Sequence, residues 1–346
     1  MKVKSKKSPL GLTMVLLPRY AQLNRAHHAS RLAMRTRVGL FICMVIIMRK
    51  RFFPVKPAKT YEEQLAILRD RGLIIPNESE ALDFLKTINY YRLSGYRLTL
   101  RVPNSEQFEE GTTFDHLRGL YEFDRRLRSL LIAVLESVEV AFRTRVAYEL
   151  AHKYGPIGYK NASHFSDTNY HHEFLTDLNS AINRGSEVFI RHHETKYGGQ
   201  LPIWVAVELA SFGAVSKLFR IMSSQDQRNV ASYYNKVHPP LLITWVHTAV
   251  YLRNICAHYG RLYNRHLKVT PRLLKRWRGI FPPNSLFAGI LVIRELCPSE
   301  SQWFRFIDDM GALVREYDAY VDLVTMGFPA VWRHLLKAGK VPKTLA

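Results

Sequence analysis

Apolar residues recur at threes and fours along most of this chain and two-residue alternation is nearly absent, so the pattern predicts helices. The longest periodic stretch, Phe114 to Tyr154, puts Leu127, Leu130, Leu131, Val134, Leu135, Val138, Phe142, Val146 and Leu150 on one wide apolar face. Thr113 caps it, and the stretch reads as part of a helix hairpin. Before it, Thr60 with Glu63 three residues on forms a capping box, and Gly72 supplies the stop. A second helix is expected from Glu78 to Tyr90. After it, Leu201 to Met222 returns to helix, and Ser224 caps another through about Tyr234. Pro239-Pro240 then opens an apolar helix that runs to Arg253. Leu286 to about Leu336 reads as two or three closing helices. The expected fold class is all-α.

Polar and titratable residues crowd together where that apolar helix ends, in Tyr251 to Arg265. Arg253, Asn254, His258, Arg261, Asn264 and Arg265 all fall within it. Arginine offers a permanent charge and a planar fork of donors suited to phosphate oxygens. Histidine exchanges a proton near neutral pH without special tuning. Phosphodiester cleavage needs both, a proton carrier and a stabiliser of developing negative charge. Five residues of regular helix leave Arg253 and His258 about 140° apart around the axis. They converge only if the helix breaks there, if the Arg wraps round, or if a second subunit supplies the partner group; Gly260 makes a break plausible.

Several blocks extend the pattern beyond that cluster. They are KPAKTYEEQLAILRDRGLII from Lys56, INYYRLSGYRL from Ile88, FDRRLRSLLIAVLESVEVAFRTRVAYEL from Phe123, LPIW from Leu201, RNICAHYGRLYNR from Arg253 and GFPAVW from Gly327. In this order they resemble the Abi-like family (AbiD/AbiF type) of bacterial abortive-infection proteins. Arg253-Asn-Ile-Cys-Ala-His258 resembles the Arg-x4–6-His signature of HEPN ribonucleases. The resemblance implies a HEPN-like helical bundle with additional N- and C-terminal helices, one domain over residues 56–346 after a basic extension, 1–55. It implies a metal-independent endoribonuclease without cofactor, acting on RNA in phage defence or as a toxin by attack of the ribose 2′-OH. It also implies a homodimer with a composite site, in which His258 transfers protons, Arg253 stabilises charge and Asn254 orients one of them. An antitoxin protein or small RNA is the expected restraint. Glu136, Glu139 and Arg143 match charged positions in the family, where they either support the site from a second helix or form a structural ion pair. The competing function is an RNA-binding module that uses the same basic site without cleaving. A third reading is a membrane-associated effector.

Other clusters compete with that site. Tyr91, Arg92, Tyr96 and Arg97 interleave aromatic and basic groups that either stack on unpaired bases or pack under a loop. Lys268, Arg272, Lys275, Arg276 and Arg278, with Trp277 among them, either extend a phosphate surface or form a solvated face. Arg145 and His152, seven apart on roughly one face, fit Arg-x6-His, and read as decoration of a solvent face. His164, His171, His172, His192 and His193 fit no standard metal spacing, so no metal is expected.

Composition changes the picture least. Hydrophobic residues make up 47% and charged ones 23% of the 346, which reads as globular. The net charge of +21 is uneven: residues 1–61 hold fourteen Lys and Arg and no acid, leaving 36 basic against 29 acidic residues, +7, for the rest. The apolar run Val38 to Met48 is eleven residues, too short to span a bilayer and without a signal cleavage site, so no stable membrane insertion is expected. The extension reads as a nucleic-acid arm, a membrane-surface segment or translated leader. The last is preferred, because the family-like text starts near Lys56 with Met44 and Met48 just upstream. Cys43, Cys256 and Cys297 are widely separated, as in a reduced cytoplasmic protein, with Cys256 a small apolar filler.

Overall fold

Residues 114–154 hold an unbroken apolar period with no proline and no glycine past Gly119, and they fold as one continuous helix. The expected hairpin is therefore not formed. A computed structural model describes residues 55–235 and 237–338; the readings of the extension and of Cys43 lie outside the described residues. Thirteen α-helices follow in chain order among them. They are α1 (Tyr61–Asp70), α2 (Glu78–Thr87), the single turn α3 (Tyr90–Leu93), α4 (Phe114–Tyr154), α5 (Thr168–Arg184), α6 (Val188–Tyr197) and α7 (Ile203–Leu209). The chain continues through α8 (Phe212–Ile221), α9 (Ser224–Ser232), α10 (Pro239–Ala257), α11 (Leu286–Leu296), α12 (Glu300–Glu316) and α13 (Trp332–Ala338). Three isolated bridges are the only β pairing among the described residues, so the fold is all-α as expected.

The caps show where side-chain chemistry sets the boundaries. Thr60 and Glu63 form the reciprocal capping box at α1, and Gly72 follows its end at φ +84°. The helix expected to reach Tyr90 stops at Thr87 because Asn89 accepts from the Tyr91 amide and starts a new turn. The helix expected over 201–222 divides at Ala210, since the Ser211 hydroxyl accepts from the Ala214 amide and caps α8. Ser223 rather than Ser224 caps α9, its hydroxyl accepting from the Asp226 amide.

The core is built around α4. Leu120, Phe123, Leu127, Leu131, Leu135, Phe142 and Val146 are sealed from solvent, and the helix packs against α7, α8, α9, α10, α11 and α12. The Phe142 ring meets the edges of Phe212 and Phe219 at centroid distances of 6.1 and 5.4 Å. Helix α10 packs against α11, which is apolar from Leu286 to Ile293 and almost wholly buried. Their close approach uses Gly289, where a Cβ would stand 2.7 Å from Leu252 Cδ1. Among the described residues no helix is long and apolar enough to cross a membrane.

Candidate functional site

Helix α10 delivers the Arg253 cluster. Trp245, Val246, Ala249, Leu252, Ile255 and Cys256 bury its inner face, while Asn254 and His258 are left outside. The helix ends at Ala257, with His258 as C-cap. The Tyr259 amide then donates to Cys256 O at 3.1 Å and the Gly260 amide to Ile255 O at 2.7 Å, a Schellman arrangement. Its left-handed position, usually glycine, is held by Tyr259 at φ +57°. The break falls where Gly260 suggested one, but the strained residue is the tyrosine before it. Tyr259 is 70% exposed.

Two acid–arginine pairs on α4 hold this segment. The nearer one begins with Glu139, buried on α4, which pairs with Arg143 four residues on. Arg143 is itself satisfied by the carbonyls of Val207 and Ala210, at the end of α7. The second Glu139 oxygen, Oε2, forms an ion pair with Arg253 Nε at 3.0 Å. Arg253 Nη1 also reaches Asn254 Oδ1 at 3.4 Å. The guanidinium is thus gripped from one side, and its side chain stays 36% exposed on the other.

The other pair is Asp124 and Arg128. Asp124 is completely buried and accepts from the Leu262 and Tyr263 amides at 3.0 and 2.7 Å, from the Tyr96 hydroxyl at 2.6 Å, and from Arg128. Arg128 also donates to Gly260 O at 3.3 Å. Burial is the largest influence on the Asp124 carboxyl and pushes it up, while Arg128, Tyr96 and the two amides oppose that. Every one of those partners is a donor facing the carboxylate. Burial pushes the Tyr96 phenol up beyond its ordinary range, and the Asp124 charge adds to it. The signal for this pair was a charged residue set between Phe123 and Leu127 on the apolar face.

The expected site residues do not form one cluster. Arg253, Asn254, Glu139 and Arg143 form one contiguous polar cluster. His258 stands five residues past Arg253 at the helix end, exposed, and among the described residues no hydrogen bond joins its imidazole to Arg253 or to any other group. Glu136 is exposed on α4. In the loop, Arg261 donates to the carbonyls of Tyr263 and Asn264, half-buried where Gly95 leaves room; burial, then the neighbouring Arg265 charge, lowers its pKa. Asn264 holds φ +48°, and Arg265 Nη1 reaches the Tyr251 hydroxyl at 3.4 Å.

From the other side, Arg92 donates to the Tyr259 carbonyl and lies over the Tyr121 ring at 5.7 Å, and Tyr91 is 85% exposed. Tyr96 and Arg97 are buried, so the Tyr-Arg cluster is half surface and half packing. A groove of about 730 Å³ runs between α2–α3, α4 and the end of α10, lined by Asn89, Arg92, Arg125, Arg128, Ala257 and Tyr259 among others. Burial pushes the Cys256 thiol up to about 12.

Two side readings change. Arg145 is not on the solvent face: it lies over the Tyr234 ring at 4.3 Å, while His152 is exposed against Tyr148. Trp277 is fully buried against Trp245, so it offers no stacking surface beside Lys268, Arg272, Lys275 and Arg278, which are exposed. Among the described residues no three of His, Cys, Asp and Glu are grouped to hold a metal ion.

A family model described as Abi-like protein matches residues 83–264, just over half of the chain. The matched span runs from within α2 through the loop after α10 and contains Arg253, His258 and both α4 pairs. No curated protein and no solved structure matches the chain.

Proposed function

The chain belongs to the Abi-like protein family, and from that premise we propose that it is an endoribonuclease of the HEPN type acting in abortive infection or as a toxin. The observation that carries this reading is the pairing of a gripped arginine with an unengaged histidine. Glu139 fixes the Nε edge of Arg253, and the guanidinium, touched at Nη1 by Asn254, keeps an exposed side for a phosphoryl group. Among the described residues, His258, exposed at the end of the same helix, carries no side-chain hydrogen bond that would occupy it. In cleavage, one imidazole takes the ribose 2′-OH proton, a second protonates the leaving 5′-oxygen, and Arg253 balances the charge that builds up between. Asn254, against Arg253, orients it. The products carry 2′,3′-cyclic phosphate and 5′-hydroxyl ends, and no metal takes part, as the HEPN resemblance implies.

One chain supplies a single His258, and among the described residues no hydrogen bond joins its imidazole to Arg253. A two-fold pair of chains supplies two of each around one phosphate. The outer face of α4 beside the Glu139 pair carries Val140 and Tyr148, each about half exposed, as an interface between copies would use. The test is RNA incubated with purified chain in excess EDTA. Cleavage that His258→Ala abolishes supports the enzyme, whereas binding without cleavage under any condition supports the RNA-binding module instead. Mixing His258→Ala chains with wild type checks the composite site: mixed dimers that keep half of the activity would mean each chain works alone.

A further inference from the structure

Three guanidiniums converge on one carboxylate outside the Arg253 cluster. Arg97, in the short 3-10 turn Arg97–Thr99, places Nη2 2.8 Å from Glu106 Oε2. Arg71, just past α1, places its Nη2 3.1 Å from the same oxygen, and Arg101 Nη1 stands 3.2 Å from Glu106 Oε1. A single negative charge therefore answers three positive ones. The Glu106 side chain is 56% exposed, whereas Arg97 is only 9% exposed. Arg97 Nε and Nη1 are both buried without a hydrogen-bond partner among the described residues. Buried donors normally find acceptors, and two orphaned on one guanidinium point to a group that is missing. Close by, the Tyr90 hydroxyl accepts from Arg71 Nη1 at 3.1 Å and keeps its own proton to give.

Glu106 comes in on a tight turn. The Val102 amide donates to Gln107 O, the Ser105 amide to Val102 O, and Asn104 sits at φ +60°. The Phe108 amide ties the turn's far end to Arg71 O at 2.8 Å. Arg97, then Arg71 and Arg101, hold the Glu106 carboxyl below its ordinary range, so it leaves the arginines by competition and not by protonation near neutral pH.

We propose that Arg71, Arg97 and Arg101 form a phosphate-binding socket whose resting occupant is the Glu106 carboxylate. A phosphate group brings more charge and three acceptor oxygens, which suit three guanidinium forks better than one carboxylate does. The turn carrying Glu106 swings aside when a phosphate takes its place. The bearer of that phosphate rests on the ribonuclease reading: an RNA strand, either at a backbone phosphate or at its 5′ end. Arg92 links this region to the end of α10 through the Tyr259 carbonyl, so a strand held at Arg253 has a second anchor within the same domain segment.

The test uses the full chain carrying His258→Ala, so that RNA is not consumed. Single-stranded RNA labelled at its 3′ end, with a 5′-phosphate or a 5′-hydroxyl, is titrated by fluorescence anisotropy, with inorganic phosphate as competitor. Glu106→Gln keeps the shape and removes the charge; it is expected to tighten RNA about tenfold, the scale of one charged hydrogen bond. Arg101→Gln, at a more exposed arginine, is expected to weaken RNA about threefold. A gain confined to the 5′-phosphorylated strand assigns the socket to the terminal phosphate, and an equal gain on both strands assigns it to the backbone. Unchanged affinities for both strands in both variants, each shown folded by its melting curve, overturn the socket. A Glu106→Gln gain, when the chain with His258 intact never cleaves RNA, keeps the socket and ends the ribonuclease reading; cleavage by the His258 chain without any gain does the reverse.

Discussion

Helix α4 carries two acid–arginine pairs of the same spacing, and they do different things. Asp124–Arg128 and Glu139–Arg143 each put the acid four residues before the arginine, and each clasps the segment around the end of α10. Asp124 gives its remaining capacity to backbone amides and a buried hydroxyl, so that clasp is almost sealed from solvent. Glu139 gives its second oxygen to Arg253, whose far side is open. The first arrangement holds a loop; the second aims a side chain. A buried charge with all its partners inside is a positioning device for backbone, whereas one that shares an oxygen with a half-exposed arginine sets the angle at which that arginine meets a ligand.

The largest expected effect tests the sealed clasp. Asp124→Ala leaves Arg128 as an unpaired buried charge and orphans two amides and a hydroxyl, at a cost of about 3–5 kcal/mol. Melting curves should show the chain losing cooperative unfolding or dropping well below wild type. A variant that melts like wild type would mean the loop is held by its apolar contacts alone. The open clasp should be gentler. Glu139→Gln keeps a hydrogen-bond acceptor for Arg143, which also retains the Val207 and Ala210 carbonyls, so about 1–3 kcal/mol is expected. RNA cleavage should fall further than stability does, because Arg253 loses its grip.

Arg253 itself separates aim from architecture. As a half-exposed ion-pair partner it should contribute no more than about 1 kcal/mol to stability. Its loss should cost activity about a hundredfold or more, the range for removing one stabiliser of transition-state charge. Arg253→Lys should recover little, since a single ammonium cannot hold Glu139 and a phosphoryl oxygen with one planar fork. Equal effects on melting and on cleavage would erase the distinction between the two clasps.

Sequence made α4 legible because its apolar period is long and uninterrupted, and α10 because its prolines and its polar end bracket an apolar run. The Arg253, Asn254, Glu139 and Arg143 cluster was legible too, through the family-like text and the i, i+4 spacing. Asp124 was not singled out, although it stands amid apolar neighbours, because one acid in a wide apolar face has no local partner beyond Arg128 to explain it. The Glu106 socket was invisible for a different reason: Arg71, Arg97 and Arg101 meet only through the folding of a turn back onto α1. Tyr259 was missed because the left-handed position of a helix end is usually read from its glycine, and here the glycine is the next residue.

The smallest expected effect lies between the clasps, at Cys256. Burial lifts its thiol to about 12, with Arg128 pulling it down and Asp124 adding to the rise. A thiol reacts as its thiolate, and near pH 8 a shift of that size cuts the thiolate population by about a thousandfold against an ordinary cysteine. Cys256 should therefore resist iodoacetamide in the native chain, as peptide mass spectrometry reads directly. If the two clasps hold the end of α10 as unequally as their chemistry implies, the residual labelling reports local opening of that segment. Glu139→Gln should raise it only a few-fold, because Asp124 still anchors Leu262 and Tyr263 and Arg128 still holds Gly260. Asp124→Asn, which preserves shape but breaks the charge, should raise it more. Labelling that rises equally in the two variants would show the clasps to be energetically equivalent. Rapid labelling of the wild-type chain would show that the end of α10 opens readily in the native protein.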